Sequence, residues 1–140
     1  MRRIITLILL SLATSLYVYS QNFVGAHKLE IKKKMKQKHK DFYFAKEVMG
    51  KRNFIKFLDY DELKTFLFVL DDDGYCEYQM LMCDYSLLKA SIDLLHKNYE
   101  YKQDLVWYDY LSGKQDYVIR IKKEEWYFSI ITKKLNKKKK

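Results

Sequence analysis

Thr65-Phe66-Leu67-Phe68-Val69-Leu70-Asp71-Asp72-Asp73-Gly74-Tyr75-Cys76-Glu77-Tyr78-Gln79-Met80-Leu81-Met82-Cys83 is the stretch on which the fold turns. Thr65 to Leu70 is a nearly continuous apolar run rich in aromatic and branched residues, which reads as a strand. Asp71 to Gly74 reads as a hairpin turn, because Asp and Gly tolerate the positive φ that tight hairpins require. Beyond it, Tyr75 to Cys83 alternates as a second strand, and unbroken alternation puts Cys76, Tyr78, Met80 and Met82 on one face.

The same patterns extend outward in both directions. Upstream, Phe54 to Tyr60 reads as a half-buried strand, and Phe42-Tyr43-Phe44 is a short aromatic run. Before these, a Lys-rich segment contains Ile31 and Met35 at i, i+4, which predicts a surface helix with a thin buried stripe. Downstream, Asp84 is a helix N-cap, and Leu88, Ile92, Leu95 and Tyr99 follow on one helical face, leaving His96 toward solvent. Leu105 to Leu111, a turn at Ser112-Gly113-Lys114, Tyr117 to Lys122 and Trp126 to Thr132 then predict a three-strand meander. The expected fold class is α+β. Its antiparallel sheet carries two helices on one face and suggests a degenerate repeat of helix plus strands.

Length and composition set the frame. The chain has 140 residues, 49% of them hydrophobic and 32% charged, with 13 Tyr, 8 Phe, 2 Trp, 4 Gly and no Pro. That is one domain with ample core material; it excludes collagen-like, proline-rich and disordered classes. Arg2 and Arg3 precede an apolar run, Ile4 to Val18, too short and too rich in hydroxyls for a stable span, with a small-residue cleavage site at Val18-Tyr19-Ser20 before Gln21. Residues 1–20 therefore read as a signal peptide, 21–134 as a single α+β domain and 135–140 as a basic tail. Ala13-Thr14-Ser15 is a second cleavage candidate, and an uncleaved anchor is the alternative. No Cys stands where a lipoprotein anchor requires one, so the expected location is periplasmic or secreted, with no membrane span after cleavage.

The formal charge of +9 is unevenly spread. Residues 28–40 hold seven lysines against Glu30, a net +6, the last four residues add +4, and residues 41–134 are net −3. Duplex-binding domains place positive charge on a folded face that follows phosphates. Nucleic acid is accordingly an unlikely partner, and the two Lys-rich segments read as surface-seeking charge for anionic envelope surfaces.

Sites for chemistry are sparse. Asp71-Asp72-Asp73-Gly74 fails the calcium-loop pattern, since aligning Gly74 leaves Val69 and Met80 at liganding positions. The three histidines, His27, His39 and His96, have no partner at zinc spacing, so neither metal nor cofactor is expected. No Ser lies in a nucleophile elbow. Cys76 and Cys83 on one extended strand stand roughly 23 Å apart, whereas a disulfide needs Cα atoms within ~7 Å. Two buried thiols are the expectation. Of the aromatic residues on the last three strands, Trp126, Phe128 and Ile130 share a core-facing parity, while Tyr108 and Tyr127, opposite in parity to their Trp neighbours, are the candidates for a binding platform.

Gly25-Ala26-His27-Lys28-Leu29-Glu30-Ile31, Leu67-Phe68-Val69-Leu70-Asp71, Asp84-Tyr85-Ser86, Trp107-Tyr108-Asp109-Tyr110 and Glu125-Trp126-Tyr127-Phe128 together resemble a group of small exported bacterial proteins. In topology, the helix leading into a meander is similar to the halves of the β-lactamase-inhibitor-like proteins and of a small lipoprotein of outer-membrane assembly. The resemblance implies a helix-plus-antiparallel-sheet fold and supplies no catalytic residues. The expected function is an exported, non-enzymatic binding or interaction module for a protein or glycan, with Tyr108, Tyr127, Lys32, Lys33, Lys36, Lys137 and Lys138 as its candidate surface. The alternative is a small secreted enzyme acting on an anionic or carbohydrate substrate, with site residues gathered from loops.

Overall fold

In the computed structural model, which describes residues 22–110 and 115–136, the chain runs helix, four strands, helix, four strands. The first half comprises α1 (Lys28–Lys38), β1 (Phe42–Val48), β2 (Asn53–Asp59), β3 (Lys64–Leu70) and β4 (Cys76–Cys83). A short 3₁₀ turn (Tyr85–Leu87) leads into α2 (Leu88–Asn98), followed by β5 (Glu100–Gln103), β6 (Val106–Asp109), β7 (Tyr117–Lys123) and β8 (Phe128–Lys134). All eight strands form one antiparallel sheet in the order β1-β2-β3-β4-β8-β7-β6-β5. Among the described residues the fold is α+β, an open sheet with two helices.

Alternation decides which residues the core takes. Ile55, Phe57, Phe66, Phe68, Leu81, Cys83, Trp107, Ile119, Ile121, Phe128 and Ile130 are all buried, and they form one cluster with Ile31 and Met35 of α1 and Leu95 of α2. Phe66 and Phe68 stack at 4.4 Å, and Phe23, ahead of α1, meets their edges at 6.3 and 5.2 Å. Phe23 is pinned there by its amide, which donates to Gln79 Oε1 at 2.7 Å. The turn after β3 is organised by Asp71: its Oδ1 accepts from the amides of Asp73 and Tyr75, and Gly74 adopts φ 86°. A Cβ on Gly74 would stand 3.1 Å from His27 Nε2, because the segment entering α1 lies against this turn, with Lys28 N donating to Gly74 O.

Five details of the sequence reading are corrected. Cys76 does not share a face with Tyr78, Met80 and Met82. Leu70 pairs with Cys76 but Val69 with Tyr78, so a bulge at Glu77 reverses the parity and Cys76 turns inward with Gln79, Leu81 and Cys83. Trp126 is 79% exposed instead of sharing a core face with Phe128, because β7 and β8 close through the turn Glu124–Tyr127, with Glu124 N donating to Tyr127 O, and Trp126 sits at its tip. Tyr127 belongs to that turn and not to the strand. The predicted three-strand meander has a fourth member, β5, whose four residues are all exposed and so carry no alternation. Asp84 caps the 3₁₀ turn, accepting from Ser86 N at 2.9 Å, and α2 begins four residues later at Leu88. The predicted turn at Ser112 to Lys114 lies outside the described residues.

Candidate binding surfaces

Because one parity of the central strands feeds the core, the other parity builds a second sheet face, and register pairing orders it into rows. One row crosses all eight strands as Lys46, Lys56, Leu67, Met80, Ile131, Arg120, Val106 and Gln103. The next runs Val48, Phe54, Val69, Tyr78, Lys133, Val118, Tyr108 and Glu100. The central residues Leu67, Val69, Tyr78, Met80 and Ile131 are half-buried and neighbour one another in register.

Cations flank this apolar centre. Lys46 and Lys56 lie toward β1, and Arg120, Lys122 and Lys133 toward β7 and β8, while Glu100 is the acidic residue in these rows. Lys46 lies over the Phe54 ring at 5.7 Å, and Lys122 pairs with Glu124 at 2.9 Å. Residues 41–134 carry a net negative charge, yet this face is basic. The sorting arises from register, which no linear charge count reports.

Tyr108, one of the two aromatic candidates, lies at the β5 end of this face. With Lys102, Gln103, Asp104, Val106 and Arg120 it lines a shallow cavity of about 590 Å³. Lys102 sits 5.1 Å from the Tyr108 ring and 5.6 Å from Tyr110, and the carboxylate of Glu100, 2.7 Å away, holds its pKa above the ordinary lysine value. The hairpin beside the cavity turns on Asp104 (φ 50°) and Leu105 (φ 59°), a two-residue loop with both positions left-handed. Tyr127, the other candidate, lines no part of this cavity; it sits in the β7–β8 turn, where the Tyr85 hydroxyl donates to Glu124 O.

The lysines of α1 divide by partner. Lys28 and Lys32 both donate to Glu47 on β1, at 2.8 and 2.5 Å, and Lys34 pairs with Glu30 at 2.7 Å. The two hydrogen bonds hold the Glu47 carboxyl below its usual range. Part of the basic segment is therefore structural, tying the helix to the edge strand. Lys32, Lys36 and Lys40 line a groove of about 490 Å³ between α1 and β1, floored by Phe42, Phe44 and Phe57 and closed by Tyr43 and Tyr60. Lys32 and Lys36 are thus brought together, whereas Lys33 is exposed and does not line the groove, and Lys137 and Lys138 lie outside the described residues.

The other features singled out in the sequence are occupied by structure. Cys76 and Cys83 are buried free thiols at opposite ends of β4, both pushed up to about 12, chiefly by burial. His96, though exposed, accepts from Trp107 Nε1 at 3.3 Å. Among the described residues no three His, Cys, Asp or Glu side chains gather to hold a metal ion, and no helix is long and apolar enough to cross a membrane. No family model, curated protein or solved structure matches this chain.

Proposed function

We propose that this protein is an exported, non-enzymatic binding module whose outer sheet face docks a partner protein presenting an apolar patch ringed by carboxylates. The row Lys56, Leu67, Met80, Ile131, Arg120 carries the reading. Its centre is apolar enough to gain on burial, and its flanking cations select the sign of what approaches. That Ile31, Met35 and Leu95 share one cluster supports the two described helices lying on the opposite face, which leaves this one uncovered by either of them. The succession of helix and four strands, twice, with a strand order unchanged when the halves are exchanged, supports a degenerate repeat of helix plus strands. The remaining unpaired lysines of α1 fit a weaker, salt-sensitive association with anionic envelope surfaces.

The test places a photo-crosslinking residue at Met80 in cells of the native host, and the same residue at exposed Glu77 as a control. A discrete adduct from position 80 that disappears with Ile131→Glu and with Arg120→Glu, and weakens with added salt, supports the reading. No adduct at position 80, or adducts equal at both positions and indifferent to Ile131→Glu, overturns it.

A further inference from the structure

We infer that the groove between α1 and β1 is a binding site for a single-chain amphiphile with an anionic head. This site is separate from the outer sheet face and does not depend on it. Its volume of about 490 Å³ lies within the ~300–1,000 Å³ usual for small-molecule sites. The floor is aromatic: Phe57 is buried beneath it, Phe44 meets Phe57 edge-on at 5.8 Å, and Phe44 still exposes 49% of its surface. An exposed Phe over a buried one, beside an edge strand, is a cost that a bound apolar chain removes, at about 0.8 kcal/mol per methylene buried.

Charge decides the head group. Lys32 lies over the Phe44 ring at 5.3 Å and is paired with Glu47, a carboxylate that it shares with Lys28. Lys36, one helical turn on, and Lys40, just past the helix end, make no ion pair with a carboxylate among the described residues. No acidic residue lines the groove. An apolar floor beneath two unmatched ammonium groups is complementary to a chain that is apolar along its length and anionic at one end. A neutral chain leaves the lysines unmatched, and a cationic head meets their repulsion.

The experiment is competition by dodecanoate, dodecanol and dodecyltrimethylammonium against a fluorescent dansyl-undecanoate probe, on the purified protein below the critical micelle concentrations. The expected result is displacement by dodecanoate at least about tenfold tighter than by dodecanol, with none by the cationic amphiphile. Lys36→Glu with Lys40→Glu should weaken the probe about tenfold or more, and Phe44→Ser should weaken it also. Lys33→Glu with Lys38→Glu, which changes the helix charge equally but off the groove, should not. Equal displacement by all three amphiphiles, no saturable binding, or equal loss in the two double variants overturns the site. Binding confined to vesicles of anionic lipid, lost equally in both double variants, would identify plain surface adsorption and overturns it too.

Discussion

Glu47, on the edge strand β1, accepts hydrogen bonds from both Lys28 and Lys32, residues one turn apart on α1, and so fastens the helix to the sheet. Its carboxyl pKa is lowered first by the Lys28 bond and then by that of Lys32. A group whose folded pKa is depressed stabilises the protein above its unfolded value and loses that contribution as pH falls through the folded one. Stability should thus decline as pH drops below about 4.5, and Glu47→Gln should flatten that decline. At neutral pH the loss in the variant should stay below about 1 kcal/mol, since solvent reaches all three side chains. Urea titrations of both proteins from neutral pH to pH 3 check this; parallel pH curves would reject it.

Trp107 is wholly buried, and its indole N–H has His96 Nδ1 as acceptor at 3.3 Å. Removing the imidazole leaves a buried donor without that partner, at a cost of about 1–3 kcal/mol. His96→Ala should lower stability by that amount and shift the Trp107 emission, measured in a Trp126→Phe background so that the exposed Trp126 does not mask it. An unchanged melting temperature would show that the bond contributes nothing.

Burial holds both cysteine thiols near 12, so at pH 8 the reactive thiolate is only about one part in 10⁴. Iodoacetamide should label the folded protein very slowly and label both residues promptly in guanidinium. Intact mass before and after denaturation reads this directly. Fast native labelling would contradict the burial, and no labelling after unfolding would reveal a disulfide.

Glu62 holds φ 58° in the turn between β2 and β3, where its amide donates to Asp59 O. A long side chain in the left-handed region is strained, and Asn occupies that region more readily. Glu62→Asn should raise stability by about 0.5 kcal/mol, read as a higher urea midpoint at an unchanged slope. A lower midpoint would show that the Glu62 side chain contributes more than its backbone costs.

Much of this architecture is legible before any coordinate. Ile31 and Met35 are the buried stripe of α1, Leu95 is the buried centre of α2, and the Asp71–Gly74 turn joins β3 to β4, because each rests on a local period or a local hydrogen bond. The failures share a cause as well. The bulge at Glu77 exists only relative to the partner residue on β3, so alternation within the strand gives no sign of it and assigns Cys76 to the wrong face. β5 is a strand only because β6 pairs with it. Trp126 looks like core by parity, yet the hairpin closes two residues later than its pattern suggests. Phe23, outside any periodic segment, enters the core through a bond to Gln79, 56 residues away.

The candidate surfaces divide in the same way. Charge and aromatic content and the basic segment around α1 are properties of composition and spacing, which one sequence states outright. Which lysines are structural and which line a groove depends on Glu47 arriving from β1, and the cation-flanked row on the outer face depends on register across all eight strands. Local periodicity selects helices and strands because it acts between residues a few positions apart. Juxtaposition of charge across a sheet is set by pairing between segments distant in sequence, and only the closed tertiary structure decides it.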